Sequence, residues 1–334
     1  MSATSQRRWT TATVIAAVDA ADGVRKIVLE YRDPIRDPIE GSHLDVDVHI
    51  EGRTEVRSYS IVERDKANPR RLALGVHRAL NSRGGSRYMH TLTAGMTLRT
   101  TQPLNSFPFR RTAGPVRFLA GGIGVTAVMS MAAAARARPA APGSDYHLTY
   151  VGRAPSVMAF HDELAELHGE ALTVHHSDTD GLFDVPTFVA GCPRESMLYL
   201  CGPIGLLDAV RTAWVGDGRA LRDLRFETFG TTGNFPTESF TVTVPAQGLE
   251  VVVREDQSIL EALEAAGAEM MFNCRKGECG LCQVDVRGVR GHIDHRDVFF
   301  SDQQHANGAK LCTCVTRIAR ATGAEAPAVT LHLP

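Results

Sequence analysis

The 334-residue chain has no apolar run near the roughly 20 residues that a membrane-crossing helix needs, so no membrane association is expected. It lacks strong net charge as well: 36 Lys and Arg against 38 Asp and Glu leave −2, which argues against general nucleic-acid affinity. The opening stretch Met1–Trp9 carries two arginines with no apolar segment behind them, so it does not read as a secretory leader, and a cytoplasmic protein is expected. Cysteines are few and odd in number, seven in all, which together with the chain's size sets a disulfide framework aside. The 13 histidines show no metal-binding constellation: His175 and His176 are adjacent in a strand-like run and would point to opposite faces.

What is present is ordinary for a globular protein, 43% hydrophobic and 22% charged, and the length suits two or three domains. Three are expected, over residues 1–112, 113–230 and 235–334, with Gly230-Thr231-Thr232-Gly233-Asn234 as a linker. The last of them has 13 Asp and Glu against 9 Lys and Arg, a net of −4 that leaves +2 for the rest. That balance suits either a basic patch on a partner or an ordinary solvated surface.

The most informative stretch is Asn273-Cys274-Arg275-Lys276-Gly277-Glu278-Cys279-Gly280-Leu281-Cys282, with three cysteines at C-x4-C-x2-C spacing. This is the plant-type 2Fe-2S signature. Glycines let such a loop turn tightly and bring its N–H groups close to sulfur. A zinc site would more usually show two separated pairs, and a Rieske site would use two histidines, for which His292 and His295 lie nearby, with only two cysteines. The fourth thiolate must come from Cys312 or Cys314, which follow Cys282 after 29 and 31 intervening residues and would face the same side of one strand.

In the first domain, Ala12–Val18, Arg25–Tyr31 and the alternating His43–Ile50 read as strands of an antiparallel barrel with no helical signal between them. A further strand holds Arg57-Ser58-Tyr59-Ser60-Ile61-Val62, with Arg57 and Tyr59 on one face and Ser58 and Ser60 on the other. Arg-x-Tyr-Ser resembles the flavin motif of the ferredoxin-NADP reductase superfamily. The resemblance implies that Arg57 binds the flavin phosphate, Tyr59 packs on the isoalloxazine and Ser60 bonds N5. Leu74-Gly75-Val76-His77-Arg78 and Ser82-Arg83-Gly84-Gly85-Ser86 resemble the strand and phosphate loop of the phthalate dioxygenase reductase family, which implies FMN rather than FAD. Without those neighbours Gly84-Gly85 reads as a hairpin turn. Pro103–Pro108 resembles that family's exit from the barrel.

The second domain alternates strands and helices: strand Pro115–Ala120, the loop Gly121-Gly122-Ile123-Gly124-Val125-Thr126, a helix from about Ala127 to Ala137, strand Tyr146–Val151, helix Ser156–Leu167, strand Leu172–His176, a strand ending in Cys201-Gly202-Pro203, and a helix through Ala213. Such alternation predicts a parallel sheet that binds its ligand at the carboxyl ends of the strands. The glycine loop before a helix suits a dinucleotide pyrophosphate, although it is not the strict G-x-G-x-x-G fingerprint. Both loops resemble the pyrophosphate and nicotinamide-side motifs of the same superfamily, with Ala127 where a proline is usual. Cys201 is thereby placed at the nicotinamide, Arg153 near the adenosine half, and Phe229, at the end of Arg225–Phe229, against the flavin; a plain core aromatic is the other reading of Phe229.

In the third domain a hairpin, Phe240–Val244 with Leu249–Val253, precedes a helix opened by the capping box Ser258-Ile259-Leu260-Glu261 and closed by Gly267. The cysteine loop follows, then strand Gln283–Arg287 and the segment Lys310–Arg317. The order resembles the β-grasp of plant-type ferredoxins, and Thr313-Cys314-Val315 resembles the sequence around the family's last ligand, which favours the set Cys274, Cys279, Cys282 and Cys314. The fold class is thus multidomain: an antiparallel β-barrel flavin domain, an α/β nucleotide domain and an α+β β-grasp ferredoxin domain.

Nearly the whole chain resembles the phthalate dioxygenase reductase family in the order flavin, nicotinamide, ferredoxin. The resemblance implies a monomeric reductase that moves electrons from NADH or NADPH through FMN and a 2Fe-2S cluster to a terminal oxygenase, Rieske-type or cytochrome P450. NADH is favoured, since no basic pair for a 2′-phosphate is evident beyond Arg153. A self-contained reductase of a small acceptor is the alternative; a redox-sensing regulator would need a reader domain, for which no sequence remains.

Overall fold

The computed structural model describes residues 8–36, 40–79, 84–110, 114–138, 145–229, 235–321 and 325–333. The chain forms two compact units, residues 1–227 and 228–334. The expected first boundary and the Gly230–Asn234 linker lie outside the described residues, as do Ser82 and Arg83.

The first unit opens with β1 (Trp9–Ala21), β2 (Val24–Tyr31), β3 (His43–Ile50), β4 (Arg53–Arg64), β5 (Arg71–His77), helix α1 (Gly85–Thr91) and β6 (Thr97–Thr101). The six strands close into a barrel in the order β1-β2-β5-β4-β3-β6 with antiparallel pairing, which leaves no exposed sheet edge. Alternate residues point inward, and Val14, Ile27, Leu29, Leu44, Val46, Leu72 and Leu74 make its core. Helix α1 departs from the all-strand expectation. Gly84 takes φ 101° and turns the chain into it, and Met89 is its one large fully buried side chain.

A parallel sheet follows: β7 (Val116–Gly121), α2 (Val125–Arg136), β8 (Tyr146–Gly152), α3 (His161–His168), β9 (Leu172–His176), the short α4 (Ser177–Asp180) and α5 (Val185–Gly191), β10 (Met197–Cys201), α6 (Ile204–Gly216) and β11 (Leu224–Glu227). Strand order is β11-β10-β7-β8-β9, so the winding reverses between β7 and β10. Helix α3 is shorter than expected. Pro155 opens a separate 3-10 turn, and Phe160, at φ 62°, precedes the helix and buries its ring.

The second unit holds β12 (Phe240–Val244), β13 (Leu249–Val253), α7 (Ile259–Ala265), β14 (Gln283–Arg290), β15 (His292–Asp294), α8 (Asp302–Asn307), β16 (Lys310–Cys312), β17 (Arg317–Ala319) and β18 (Ala328–His332). Its main sheet runs β13-β12-β18-β14-β16, with β12 and β18 parallel, and β15 pairs with β17. Helix α7 covers it with Ile259, Ala262 and Leu263, and the expected capping box is formed: the Glu261 amide donates to Ser258 Oγ at 3.1 Å, and the Ser258 amide to Glu261 Oε2 at 2.8 Å.

Candidate functional site: two loops at a sheet crossover and a nest of thiols

At the carboxyl ends of β7 and β10, two loops that lie about eighty residues apart in sequence meet backbone to backbone. A Cβ on Gly202 would stand 3.1 Å from Gly121 Cα, one on Gly121 would stand 2.7 Å from Pro203 Cδ, and one on Gly124 would drive into the Cys201 carbonyl. Glycine is therefore required for this approach. Gly122, at φ 52°, has open space where a Cβ would project, so the loop's outer side can receive a ligand. Helix α2 begins directly behind, at Val125, two residues earlier than expected, and Thr126 Oγ1 donates to the Ile123 carbonyl at 2.9 Å, which tightens the turn. Gly121, Gly122, Ile123, Gly124, Thr126, Cys201, Gly202 and Pro203 thus lie together where the strand order reverses, the position at which α/β sheets bind ligands. Cys201 is fully buried, and Arg153 is exposed just past β8 on the same edge of the sheet.

The barrel reaches this region through Gly75. A Cβ there would stand 2.7 Å from Thr126 Cγ2 and 3.0 Å from the Phe160 ring, so β5 lies directly against the start of α2. Val76 is buried and His77 is exposed at the strand's end. On β4, Tyr59 packs against the barrel core, and burial pushes its phenol well above the usual range. Ser58 Oγ donates to Asp45 Oδ1 at 2.6 Å, and Ser60 is buried beside its partner His43 on β3. Arg57 pairs with Glu55 and donates to the Val56 carbonyl at 2.9 Å. Its stem crosses Gly85, where a Cβ would meet Arg57 Cγ at 2.8 Å, and Ser86 Oγ accepts from the Ala79 amide at 3.2 Å. Arg57 and the Gly84-Gly85-Ser86 turn are therefore neighbours, a guanidinium beside a glycine turn that suits a phosphate.

In the second unit Cys274, Cys279, Cys282 and Cys314 converge. Cys282 and Cys314 place their sulfurs 3.2 Å apart, and Cys314 also donates to Cys274. Cys274 Sγ accepts from the amides of Lys276 and Glu278, each at 3.4 Å. Hydrogen bonds first from Cys314 and then from these amides hold the Cys274 thiol down to about 4, and those from Cys312 and Cys314 hold Cys282 down to about 3. Cys279 is raised, chiefly by burial, and the donors Cys312 and Cys314 are pushed far up. Four cysteine sulfurs brought together in this way are the donor set of an iron–sulfur centre.

The loop is shaped for this role. Gly277 and Gly280 have φ of 76° and 69°; a Cβ on the first would stand 2.8 Å from Val315 and 2.9 Å from Asp297, and one on the second would enter the Phe299 ring. Arg275 reaches away and donates to both Glu264 oxygens at 2.9 Å. Cys312 and Cys314 do not share a strand face as expected: β16 ends at Cys312, and Cys314 lies in the following turn, where Val315 N–H bonds back to the Cys312 carbonyl at 3.2 Å. That turn carries Cys314 to Cys274, while Cys312 touches Cys282 from the β16 side.

The structure also assembles groups that sequence reasoning passed over. His295, Asp297 and His305 bring ligand-type atoms within 4.8 Å of one another, contrary to the absence of any histidine constellation expected above. Burial alone would raise Asp297, but the nearby His295 ring, 3.7 Å from Oδ1, and hydrogen bonds from the Phe300 amide at 2.9 Å and His305 at 3.0 Å outweigh it and lower the carboxyl. The two imidazoles stack at 4.5 Å and 24°, whereas a shared ion would need in-plane approach to both rings. The trio braces the segment behind Gly277, whose carbonyl accepts from the Val298 amide at 3.0 Å. Glu278 is a second such group: it accepts from Thr228, 50 residues away, a pairing with no sequence signal. Phe229, next to Thr228, is 41% exposed.

Among the described residues no helix is long and apolar enough to cross a membrane. Residues 242–319 match the family of 2Fe-2S iron-sulfur cluster binding domains. The chain is 32% identical over 321 residues to the phenoxybenzoate dioxygenase subunit beta of Ectopseudomonas oleovorans, covering 94% of this chain and 96% of that one. The solved structure of phthalate dioxygenase reductase, described as modular for electron transfer from pyridine nucleotides to [2Fe-2S], superposes with a TM-score of 0.76 at 28% identity over 97% of this chain and 98% of that one. An intact type IV self-sufficient cytochrome P450 monooxygenase matches 97% of this chain with 41% of its own length, at 34% identity and a TM-score of 0.66. The chain belongs to the phthalate dioxygenase reductase family and is, with it, an NAD(P)H-dependent iron–sulfur oxidoreductase of oxygenase systems.

Proposed function

We propose that this reductase draws electrons from NADH, holds FMN on the barrel and a 2Fe-2S cluster on Cys274, Cys279, Cys282 and Cys314, and delivers single electrons to a separate terminal oxygenase, Rieske-type or cytochrome P450. The observation that carries the proposal is the pairing, on one chain, of a glycine-lined sheet crossover with four cysteines gathered on one glycine-turned loop and its return at Cys314. When bound, flavin accepts a hydride and releases its electrons singly, and the cluster takes one at a time.

In this reading the Gly121–Gly124 loop and the start of α2 receive the pyrophosphate, and Cys201-Gly202-Pro203 floors the nicotinamide side. Arg153 faces the adenosine end. Gly75, by admitting Thr126 and Phe160 against β5, sets the barrel close to that pocket, which orients donor and acceptor. Arg57 and the turn Gly84-Gly85-Ser86 take the flavin phosphate, Tyr59 packs beside the ring, and Ser60 supplies a hydroxyl toward N5. Val76 and His77 line the flavin's edge at the end of β5, and Phe229 supplies the aromatic on the flavin's other face. In the second unit the amides of Lys276 and Glu278 offset the charge on Cys274 sulfur. The protein works as a cytoplasmic monomer.

The test is an acceptor titration. NADH oxidation coupled to a terminal oxygenase, or to cytochrome c in its place, should exceed direct reduction of small acceptors, and kcat/KM should favour NADH over NADPH. Extracted flavin that is FAD alone, or equal turnover with small acceptors in the presence and absence of every candidate oxygenase, contradicts the proposal and favours a self-contained reductase.

A further inference from the structure

We infer that Lys26 is a positioning residue for hydride transfer: its ammonium ties the first turn of α3 to the barrel and so seats the Phe160 ring against Gly75. The inference rests on the proposed placement of flavin on the barrel and of NADH at the glycine loops. Lys26 on β2 pairs with Gly75 on β5, and paired residues on neighbouring strands project to the same face. The Lys26 side chain therefore leaves the barrel beside the spot where Gly75 presents no side chain, and its Nζ stands 6.0 Å from the centre of the Phe160 ring that lies against that spot. Nζ also reaches Glu63 Oε2 on β4 at 2.6 Å and Glu163 Oε1 on α3 at 3.3 Å. A register shift between Ile61 and Glu63, where β4 gains a residue over β5, turns Glu63 outward to meet it although Ile61 points into the core.

Phe160 needs such a tie. It sits at φ 62°, a costly backbone conformation for a residue with a side chain, and its ring is buried. Glu163 lies three residues on, in the first turn of α3, and the Leu164 amide donates to the Phe160 carbonyl at 2.9 Å, so the helix and the ring move together. Apolar packing does not hold this edge of α3: a cleft of about 180 Å³, lined by Val62, Met129, Ala133 and Leu164, opens there, and Lys26 with its two carboxylates spans it. Only 18% of the Lys26 side chain is exposed, which shields the tie from salt better than an ordinary surface pair. Phe160 and Thr126 press on the same glycine, from α3 and from α2. A loosened α3 therefore frees the start of α2 and its glycine loop to drift from β5, and a misplaced donor slows hydride transfer more than it weakens binding.

The experiment uses the full chain carrying flavin and cluster, as wild type, Lys26→Met, Lys26→Arg, Glu163→Ala and the double variant Lys26→Met with Glu163→Ala. Amide hydrogen exchange at Leu164 reads the seat of Phe160 without reference to activity, and stopped-flow absorbance gives the limiting rate of flavin bleaching and the NADH concentration at half that rate. Lys26→Met should speed exchange by about fivefold and slow the limiting rate by about tenfold, and Glu163→Ala should do each by about threefold, with half-saturation by NADH kept within about twofold. Lys26→Arg, which keeps the charge, should recover the rate to within about threefold, and the double variant should be no slower than Lys26→Met alone, because one tie is lost only once. A lower limiting rate at constant half-saturation, restored by Arg, is what a merely structural role would not produce. Unchanged exchange in Lys26→Met overturns the tie, and faster exchange with an unaltered limiting rate overturns its positioning role. The Asp22 amide, which donates to the Ser156 carbonyl at 2.8 Å, still joins the barrel to the segment ahead of Phe160 in every variant. Should Lys26→Met fail to fold even so, Glu163→Ala decides, and a wild-type limiting rate there overturns the inference. Exchange at Ile123 and Gly124 with and without NAD+ tests the parent reading separately: no protection would take the nucleotide away from the glycine loop, while exchange at Leu164 would still report the tie.

Discussion

Two glycine-dependent sites in this molecule achieve close approach by different routes. At the crossover between β7 and β10, Gly121, Gly124 and Gly202 matter because each lacks a Cβ where a second, distant loop passes; the approach is a tertiary one, and Gly121 and Gly124 themselves have unremarkable backbone angles. In the cysteine loop, Gly277 and Gly280 matter twice, for a left-handed φ and for the Asp297, Val315 and Phe299 atoms behind them, while the donors they arrange lie within ten residues of one another. The first site therefore depends on correct packing of two loops across a sheet. The second depends on a local turn plus one return of the chain at Cys314.

The comparison breaks most readily at Gly124. In Gly124→Ala the added methyl would run into the Cys201 carbonyl and the Gly202 amide nitrogen, all backbone atoms, so a loss of about 3 kcal/mol is expected together with failure of NADH to bleach the flavin. Urea unfolding followed by tryptophan fluorescence, with iron content as the control for the second unit, checks it; a variant of normal stability and normal bleaching would mean that the two loops do not need this contact.

Arg57→Ala sharpens the contrast on the barrel side. It removes a guanidinium, with its bonds to Glu55 and the adjacent Val56 carbonyl, but adds nothing between packed loops, and should weaken flavin retention by about tenfold, equivalent to about 1.4 kcal/mol, with the fold intact. Flavin titration of the stripped protein measures this, and undiminished affinity would take the phosphate away from Arg57 and the Gly84-Gly85-Ser86 turn. Ser258→Ala carries the smallest effect, about 1 kcal/mol, through loss of the α7 cap. It should lower the stability of the second unit and leave NADH-driven flavin bleaching as it was; an equal loss in both activities would show that the two sites are not separable in this way.

The same contrast explains what was legible in the sequence. The cysteine loop, the capping box at Ser258–Glu261 and the hairpin of β12 and β13 depend on residues near one another in the chain, so spacing alone revealed them. The parallel sheet was legible from alternating runs, and with it the edge on which both glycine loops fall. Helix α1 was not, because seven residues are too few for periodicity to register and Gly84-Gly85 reads equally well as a turn. The break before α3 was missed because the burial of Phe160 in a left-handed conformation is decided by Gly75, about eighty-five residues earlier, and not by the local sequence. The bond from Thr228 to Glu278 and the His295, Asp297 and His305 trio share that cause: each is made by folding and leaves no pattern in the chain.

The central claim is that the thiol nest, closed by Cys314, is the exit for electrons that enter as hydride elsewhere on the chain. The most direct measurement compares Cys314→Ala with Cys312→Ala, reading iron content and visible spectrum beside stopped-flow flavin bleaching by NADH and reduction of cytochrome c. Cys314→Ala should lose the cluster and nearly all cytochrome c reduction while its flavin is still bleached, and Cys312→Ala should largely retain both. A cluster kept in Cys314→Ala but lost in Cys312→Ala would reverse the ligand assignment, and undiminished cytochrome c reduction in a cluster-free variant would contradict the electron path itself.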